Sequence, residues 1–278
     1  MSLPSPDVLD AFGLTGRPVP LPGGAGTSVR VGDAVLKPTG PDAEFAHWLA
    51  DLMAAVVEDG FRVARPMRTR DGAWSHGGWS ASRHLAAAEP AHATAPRWRE
   101  VIAAGRALHR ALADVPRPGF LDRRTDAWAV GDRAAWQEAA AVPHPALRAP
   151  YEHLTALLGP RPRGRSQLVH GDLTGNVLFA PGLAPAVLDF SPYWRPPAFA
   201  DAIVVGDALL WHAADADLLH ATAADGAPGL LPYVVRAVLF RLVAASQHLR
   251  AHAGPHAAAE TEAERYLRVA GLLRREHG

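Results

Sequence analysis

The chain has 278 residues, 49% of them hydrophobic, with 28 basic and 28 acidic side chains and no cysteine. That length is enough to bury a substantial core, in one large domain or in two smaller lobes. Zero formal net charge leaves no global field for a nucleic-acid backbone or an anionic membrane, and the lack of cysteine excludes disulfides, thiolate nucleophiles and cysteine metal sites. The first ten residues carry two prolines and two acids rather than the basic start and apolar run of a secretory signal. The most apolar stretch, residues 198–214, is broken by Asp201 and Asp207, so no span of about 18 apolar residues exists. These features lead us to expect a cytoplasmic protein with no nucleic acid and no membrane as partner.

Taken in chain order, the first third is strand-rich. Residues 21–37 read as strand, glycine-rich turn, strand, turn, strand. Gly23, Gly24 and Gly26 permit positive φ, Val29 and Val31 alternate with polar neighbours, and Gly32-Asp33 suits a hairpin turn before Ala34, Val35 and Leu36. Pro38 and Gly40 end that run. Phe45, Trp48, Leu49, Leu52 and Val56 recur at helical spacing over residues 42–58. Extended segments are expected near residues 61–67 and 74–79.

After Arg83 the texture changes. Trp98, Val101, Ile102, Gly105, Leu108, His109 and Leu112 mark a long helix, in which His109 is expected to be structural or exposed rather than catalytic. Residues 139–150, rich in alanine and proline, read as a loop, and residues 151–158 as a helix. Short strands are expected at 168–169, 177–179 and 186–190, and helices at 200–214, 230–249 and 260–274. The expected fold class is therefore α+β: a strand-rich lobe over residues 1–82 and a larger, mainly helical lobe over residues 83–278.

Chemistry concentrates in one string, Val169-His170-Gly171-Asp172-Leu173-Thr174-Gly175-Asn176-Val177-Leu178-Phe179, followed by Val187-Leu188-Asp189-Phe190. Carboxylate and carboxamide oxygens are hard ligands suited to Mg²⁺, and a carboxylate beside a hydroxyl can orient it and accept its proton. Asp172, Asn176 and Asp189 also suit ordinary turns. Turns account less well for a histidine, two acids and an amide punctuating successive apolar strands. A second oddity is that the 28 basic residues include one lysine, Lys37. Lysine is a compact charge that arginine does not replace.

The string HGDLTGNVLF followed by VLDF resembles the kinase-like phosphotransferases of the aminoglycoside phosphotransferase and choline kinase type. The resemblance implies a bilobal protein-kinase-like fold and an enzyme that uses ATP and Mg²⁺ to phosphorylate a small-molecule hydroxyl acceptor. It implies that Asp172 is the catalytic aspartate, His170 the histidine that structures the catalytic loop, and Asn176 and Asp189 the metal ligands. Gly23, Gly24 and Gly26 then match the loop over the phosphates, and Lys37 the lysine that meets the α- and β-phosphates. Glu44 is the first choice for that lysine's acidic partner, Glu58 the second, with Asp51 also possible. In the family the asparagine usually stands five residues after the aspartate, whereas here the step is four. Where many relatives have a second acid after the metal aspartate, this chain has Ser191. These departures motivate a second reading, a catalytically silent nucleotide-binding or scaffolding protein.

Asp201, ahead of Asp207, is the expected brace for the catalytic loop. Tyr193-Trp194-Arg195 reads equally as a substrate wall or as packing. The pairs His212 with Asp215 and His248 with His252 have helical spacing but no third ligand, so a metal site is not expected there.

Overall fold

Alternation of buried and exposed side chains builds the first sheet of the computed structural model, which describes residues 3–21, 26–40, 42–85, 89–90, 97–227, 229–251 and 256–278. Strands β1 (Val19–Pro20), β2 (Val29–Val31) and β3 (Ala34–Pro38) run antiparallel, with Gly32 turning between β2 and β3 at φ +57°. Helix α1 (Pro6–Ala11) precedes them, and Val8 and Phe12 pack on Val29, Val31, Ala34 and Leu36. Helix α2 (Ala43–Ala55) follows, with its first turn capped by the Asp42 side chain, which accepts from the Phe45 N–H at 3.0 Å.

The next strands are short. They are β4 (Arg62–Val63), β5 (Pro66–Met67), β6 (Ser75–His76), β7 (Trp79–Arg83) and β8 (Glu89–Pro90). The order β1-β2-β3-β7-β5, with β6 beside β7, makes a six-stranded sheet among the described residues. Residues 74–79, expected as one strand, instead hold β6 and a turn at Gly77 and Gly78, both at positive φ, that opens β7. Two adjacent glycines bend the chain where the apolar spacing alone suggests continuity.

Helix α3 (Trp98–Ala111) leads to a 3₁₀ turn at Gly119–Arg123, then to α4 (Ala127–Ala135) and α5 (Arg148–Ala156). The loop expected over residues 139–150 is shorter than that, because a 3₁₀ turn occupies Pro145–Leu147 and α5 starts at Arg148. Pro150 sits in the first turn of α5, where a missing N–H costs no helical bond. Strands β9 (Gln167–His170), β10 (Val177–Phe179), β11 (Ala186–Val187) and β12 (Pro192–Arg195) come next, then helices α6 (Pro197–Trp211), α7 (Ala216–Ala224), α8 (Leu231–Ala251) and α9 (His256–Glu276).

Strands β4, β11, β10 and β8 form a second sheet in that order, and β12 pairs antiparallel with β9. The chain divides into two compact units, Met1–Pro90 with Leu178–Leu188, and Ala91–Val177 with Asp189–Gly278. The first is β-rich and the second mainly helical. The second unit's core is set by α6 and α8, where Val204, Val205, Leu209, Val234, Val238 and Phe240 are fully buried. Among the described residues no helix is long and apolar enough to cross a membrane.

Candidate functional site

In the second unit, two histidines fix the backbone from which the site is built. His170 ends β9, fully buried, and its N–H donates to Nε2 of His109 on α3 at 3.0 Å. Burial, helped by the nearby His170, pushes the His109 pKa down to about 3, so His109 is a neutral acceptor. The Nδ1 of His170 in turn accepts the N–H of Asp172 at 3.2 Å and the N–H of Ser191 at 3.3 Å. One imidazole thus pins two loops, the one that carries Asp172 and the one that follows Asp189. The Gly171 N–H also donates to the Ser191 carbonyl at 2.9 Å. A Cβ on Gly171 would lie 2.3 Å from the Tyr193 ring, so the ring leaves no room for another residue there.

Asp172 leaves β9 with a half-exposed carboxylate, 44% accessible, that is held on both oxygens. Its Oδ1 accepts from Nη2 of Arg241 at 2.8 Å, and its Oδ2 accepts from Nδ2 of Asn176 at 3.2 Å. The same Nδ2 donates to the Asp172 carbonyl at 2.7 Å. Asn176 therefore spends its amide hydrogens on Asp172, which leaves its amide oxygen as the atom for other chemistry. The four-residue step closes as a tight turn. The Asn176 N–H donates to the Leu173 carbonyl at 3.0 Å, and Gly175 supplies a φ of +81°. Leu173, buried, seats the turn against Gly105 of α3, where an added Cβ would stand 2.4 Å from a Leu173 methyl.

Asp189 is exposed and has a φ of +46°. The other non-glycine residues at positive φ among the described residues, Gln137 and Ala213, each follow the C-cap of a helix, which is the usual place for that conformation. Asp189 has no such excuse, and strain of this kind collects at functional positions. Asn176 and Asp189 flank in sequence the stretch Leu178–Leu188 that belongs to the other unit. Among the described residues no group of three or more His, Asp or Glu side chains gathers as a metal cage. Two oxygen donors from the protein, with phosphate and water completing the shell, is what Mg²⁺ ordinarily takes, so the donor set fits the metal the resemblance implies.

Sequence reasoning missed Arg241. It lies on α8, 69 residues from Asp172, 6% exposed, with its Nε and Nη2 forked onto the two oxygens of Asp207 on α6 at 2.8 and 2.7 Å. Its guanidinium also lies 5.2 Å from the Trp128 ring centroid. The signal was present as a pair: an arginine inside the apolar run of α8 and an aspartate inside that of α6 each need a buried partner. Asp201, the expected brace, bonds instead to Arg106 on α3 at 2.8 Å. Asp207, through Arg241, is the acid connected to Asp172.

Other expectations resolve locally. Tyr193 is buried against Phe240 and Gly171, with the Arg124 guanidinium 5.1 Å from its ring, and burial pushes its pKa up to about 12. Arg195 forks onto Asp132 at 2.9 and 2.6 Å and reaches Glu138 at 2.6 Å. Tyr193 and Arg195 thus serve packing, although both also line, with Arg117, Arg124 and Trp194, a cavity of about 360 Å³. His212 packs on Trp98, Asp215 caps α7, and His248 meets the Trp128 ring edge-on. His252 lies outside the described residues.

In the first unit, Lys37 is half-buried on β3 opposite Ser80 of β7. Gly26 has a φ of +68°, and an added Cβ there would meet no atom of the described residues within 4 Å, while Gly23 and Gly24 lie outside the described residues. Glu44 is exposed in the first turn of α2. Of the alternatives to it, Glu58 accepts from the Val63 N–H at 2.9 Å and pairs with Arg65, and Asp51 accepts from the Trp74 indole at 2.8 Å.

Comparison with known proteins places this geometry in context. A sequence model described as the phosphotransferase enzyme family matches residues 19–233. A search of curated proteins returns no significant match. Among solved structures, the aminoglycoside phosphotransferase APH(4)-Ia superposes with a TM-score of 0.63 at 15% identity, over 98% of each chain. The spectinomycin phosphotransferase APH(9)-Ia, in complex with ADP and spectinomycin, gives 0.57 at 13% identity over 93% of each chain. The choline kinase LicA of Streptococcus pneumoniae gives 0.58 at 10% identity, over 94% of this chain and 95% of that one. At such identities the likeness establishes the fold, the α+β kinase-like arrangement.

Proposed function

The chain belongs to the phosphotransferase enzyme family, and on that footing we propose that it moves the γ-phosphoryl group of ATP to a hydroxyl of a small molecule. The observation that carries the reading is the Asp172 carboxylate, half-exposed yet bonded on both oxygens, in a loop whose neighbour holds the strained Asp189. A carboxylate presented in this way is oriented before any substrate arrives, which is where most of a positioning catalyst's advantage lies.

The acceptor hydroxyl donates to Asp172. As its oxygen bonds to the γ-phosphorus, the bond from that phosphorus to the bridging oxygen breaks, ADP leaves, and the proton passes to Asp172. Asn176 and Asp189 would hold Mg²⁺, which would supply neutralisation of phosphate charge. Lys37 and the glycines at 23, 24 and 26 serve the nucleotide phosphates, with Glu44 as the acid that orients the lysine. His170 keeps the Asp172 and Ser191 backbones in register.

The acceptors in the relatives' names belong to those proteins. For this chain, the class supported is an alcohol-bearing small molecule. The shortened step from Asp172 to Asn176 favours one rival, a nucleotide binder without turnover. The two readings separate in an assay of ADP release across a panel of hydroxyl compounds. Asp172→Ala is expected to lower acceptor-dependent turnover by about 100-fold or more while ATP affinity stays within about threefold of the parent. ATP binding with no turnover on any acceptor would favour the rival.

A further inference from the structure

We propose that Arg241 is a positioning residue for Asp172, and that it selects Oδ2 as the carboxylate oxygen offered to the acceptor. The geometry is that of a relay from the core. Asp207, 2% exposed on α6, accepts both Nε–H and Nη2–H of Arg241. That fork sets the plane of the guanidinium, because two parallel bonds leave an arginine no freedom to rotate. The second hydrogen of Nη2 then points at Oδ1 of Asp172, 2.8 Å away. With Oδ1 taken by a cation that is itself immobile, the rotation of the Asp172 side chain is fixed. Oδ2, whose one bond among the described residues is the longer one from Asn176 at 3.2 Å, is the oxygen with capacity left for an acceptor hydroxyl.

A buried ion pair between Arg241 and Asp207 would be complete without Asp172. A fork onto one carboxylate already compensates the charge, and a structural pair needs no third member in a half-exposed loop. The third contact is therefore evidence of a task outside the core. The aromatic surroundings agree with it: the Trp128 ring, at 5.2 Å, flanks the guanidinium, and Phe240 lies at 5.1 Å, so the cation is walled in on the helix side and directed at the loop.

The inference rests on the phosphotransfer reading only for its kinetic arm. Removing Arg241 alone would strand Asp207 as a buried unpaired charge and threaten folding. The informative variants are therefore Arg241→Lys, which keeps the charge and loses the fork, and the double variant Arg241→Met with Asp207→Val, which removes the pair as a whole. Replacing both members by apolar residues often leaves stability near the parent's. Both variants are expected to bind ATP within about threefold of the parent and to lose about 10- to 100-fold in kcat, the scale of a misplacement near 1 Å. A folded double variant with parental kcat would overturn the proposal. A crystal structure of the double variant reads the same question without turnover. Asp172 in a new or divided rotamer supports the positioning role, and Asp172 unmoved refutes it. If the parent itself turned over no acceptor, the phosphotransfer reading would fail, and the rotamer of Asp172 would still decide the role of Arg241.

Discussion

His109 and Asp201 are buried titratable side chains within the same helical unit, and acid acts on them in opposite senses. The His109 pKa is held down near 3 by burial, so the folded protein refuses a proton that the unfolded chain takes up near its ordinary value of 6.5. Its contribution to stability is present above pH 6.5 and is lost as pH falls, by about 1.4 kcal/mol per unit. Burial pushes Asp201 up to about 6 against the opposing pull of Arg106. Its contribution is present below the ordinary aspartate value and is lost as pH rises through about 6. Between pH 6 and 4 the two contributions oppose each other. Asp201→Asn removes one side of the balance. Denaturant titration is expected to show that variant losing about 1 kcal/mol more stability than the parent between pH 7 and pH 5. An equal or smaller loss would contradict the assignment.

At the same scale, the site residues differ in how readable they were. His170, Asp172 and Asn176 fall within one short string, and Asp189 follows on the next apolar run, so spacing alone brought them to attention. Arg241 contacts Asp172 from 69 positions away. No local pattern encodes such a contact, and only the cost of burying Arg241 and Asp207 on apolar helices hints at it.

Among the elements, α4 and α8 carry Trp128 and Arg241. They approach closely at Gly131, where an added Cβ would stand 2.6 Å from the Phe240 carbonyl oxygen and 3.3 Å from the Ala244 nitrogen. Both are backbone atoms and cannot rotate away. Gly131→Ala would gain about 1 kcal/mol of helix propensity but forces the helices apart, an overpacking that costs about 1–3 kcal/mol. The net expectation is a lower melting temperature together with slower turnover, because α8 sets the place of Arg241. A more stable variant with parental turnover would show that the approach is not tight. Sequence patterning found α3, α6, α8 and α9 from their long apolar spacing. It passed over α4, whose alanines and glycine give weak periodicity, α7 (Ala216–Ala224), and β12, whose Pro192 argues against a strand. Pro192 is accommodated because it opens β12, at the edge of a two-stranded ladder.

For the molecule as a whole, the sequence separated a β-rich part from a helical part because its texture shifts after Arg83. It did not show that residues 178–188 belong with the first unit. That return is made by strand pairing, Ala186 with Arg62 and Leu178 with Pro90, and pairing partners so distant leave no mark on local composition. Nor did it show α1, whose Val8, with the Phe12 that follows the helix, packs in the first unit's core. Six residues are too few for a readable period. The family and the kinase-like fold were legible from the site string, and the way Asp172 is held in place was not.

The most direct test is to incubate the protein with ATP, Mg²⁺ and a panel of hydroxyl-bearing small molecules, and to follow the products by mass spectrometry. An acceptor is expected to gain one phosphoryl group on an alcohol oxygen, with one ADP formed for each product, and no product is expected when Mg²⁺ is removed. Saturating ATP binding with no phosphorylated acceptor anywhere in the panel would contradict that expectation.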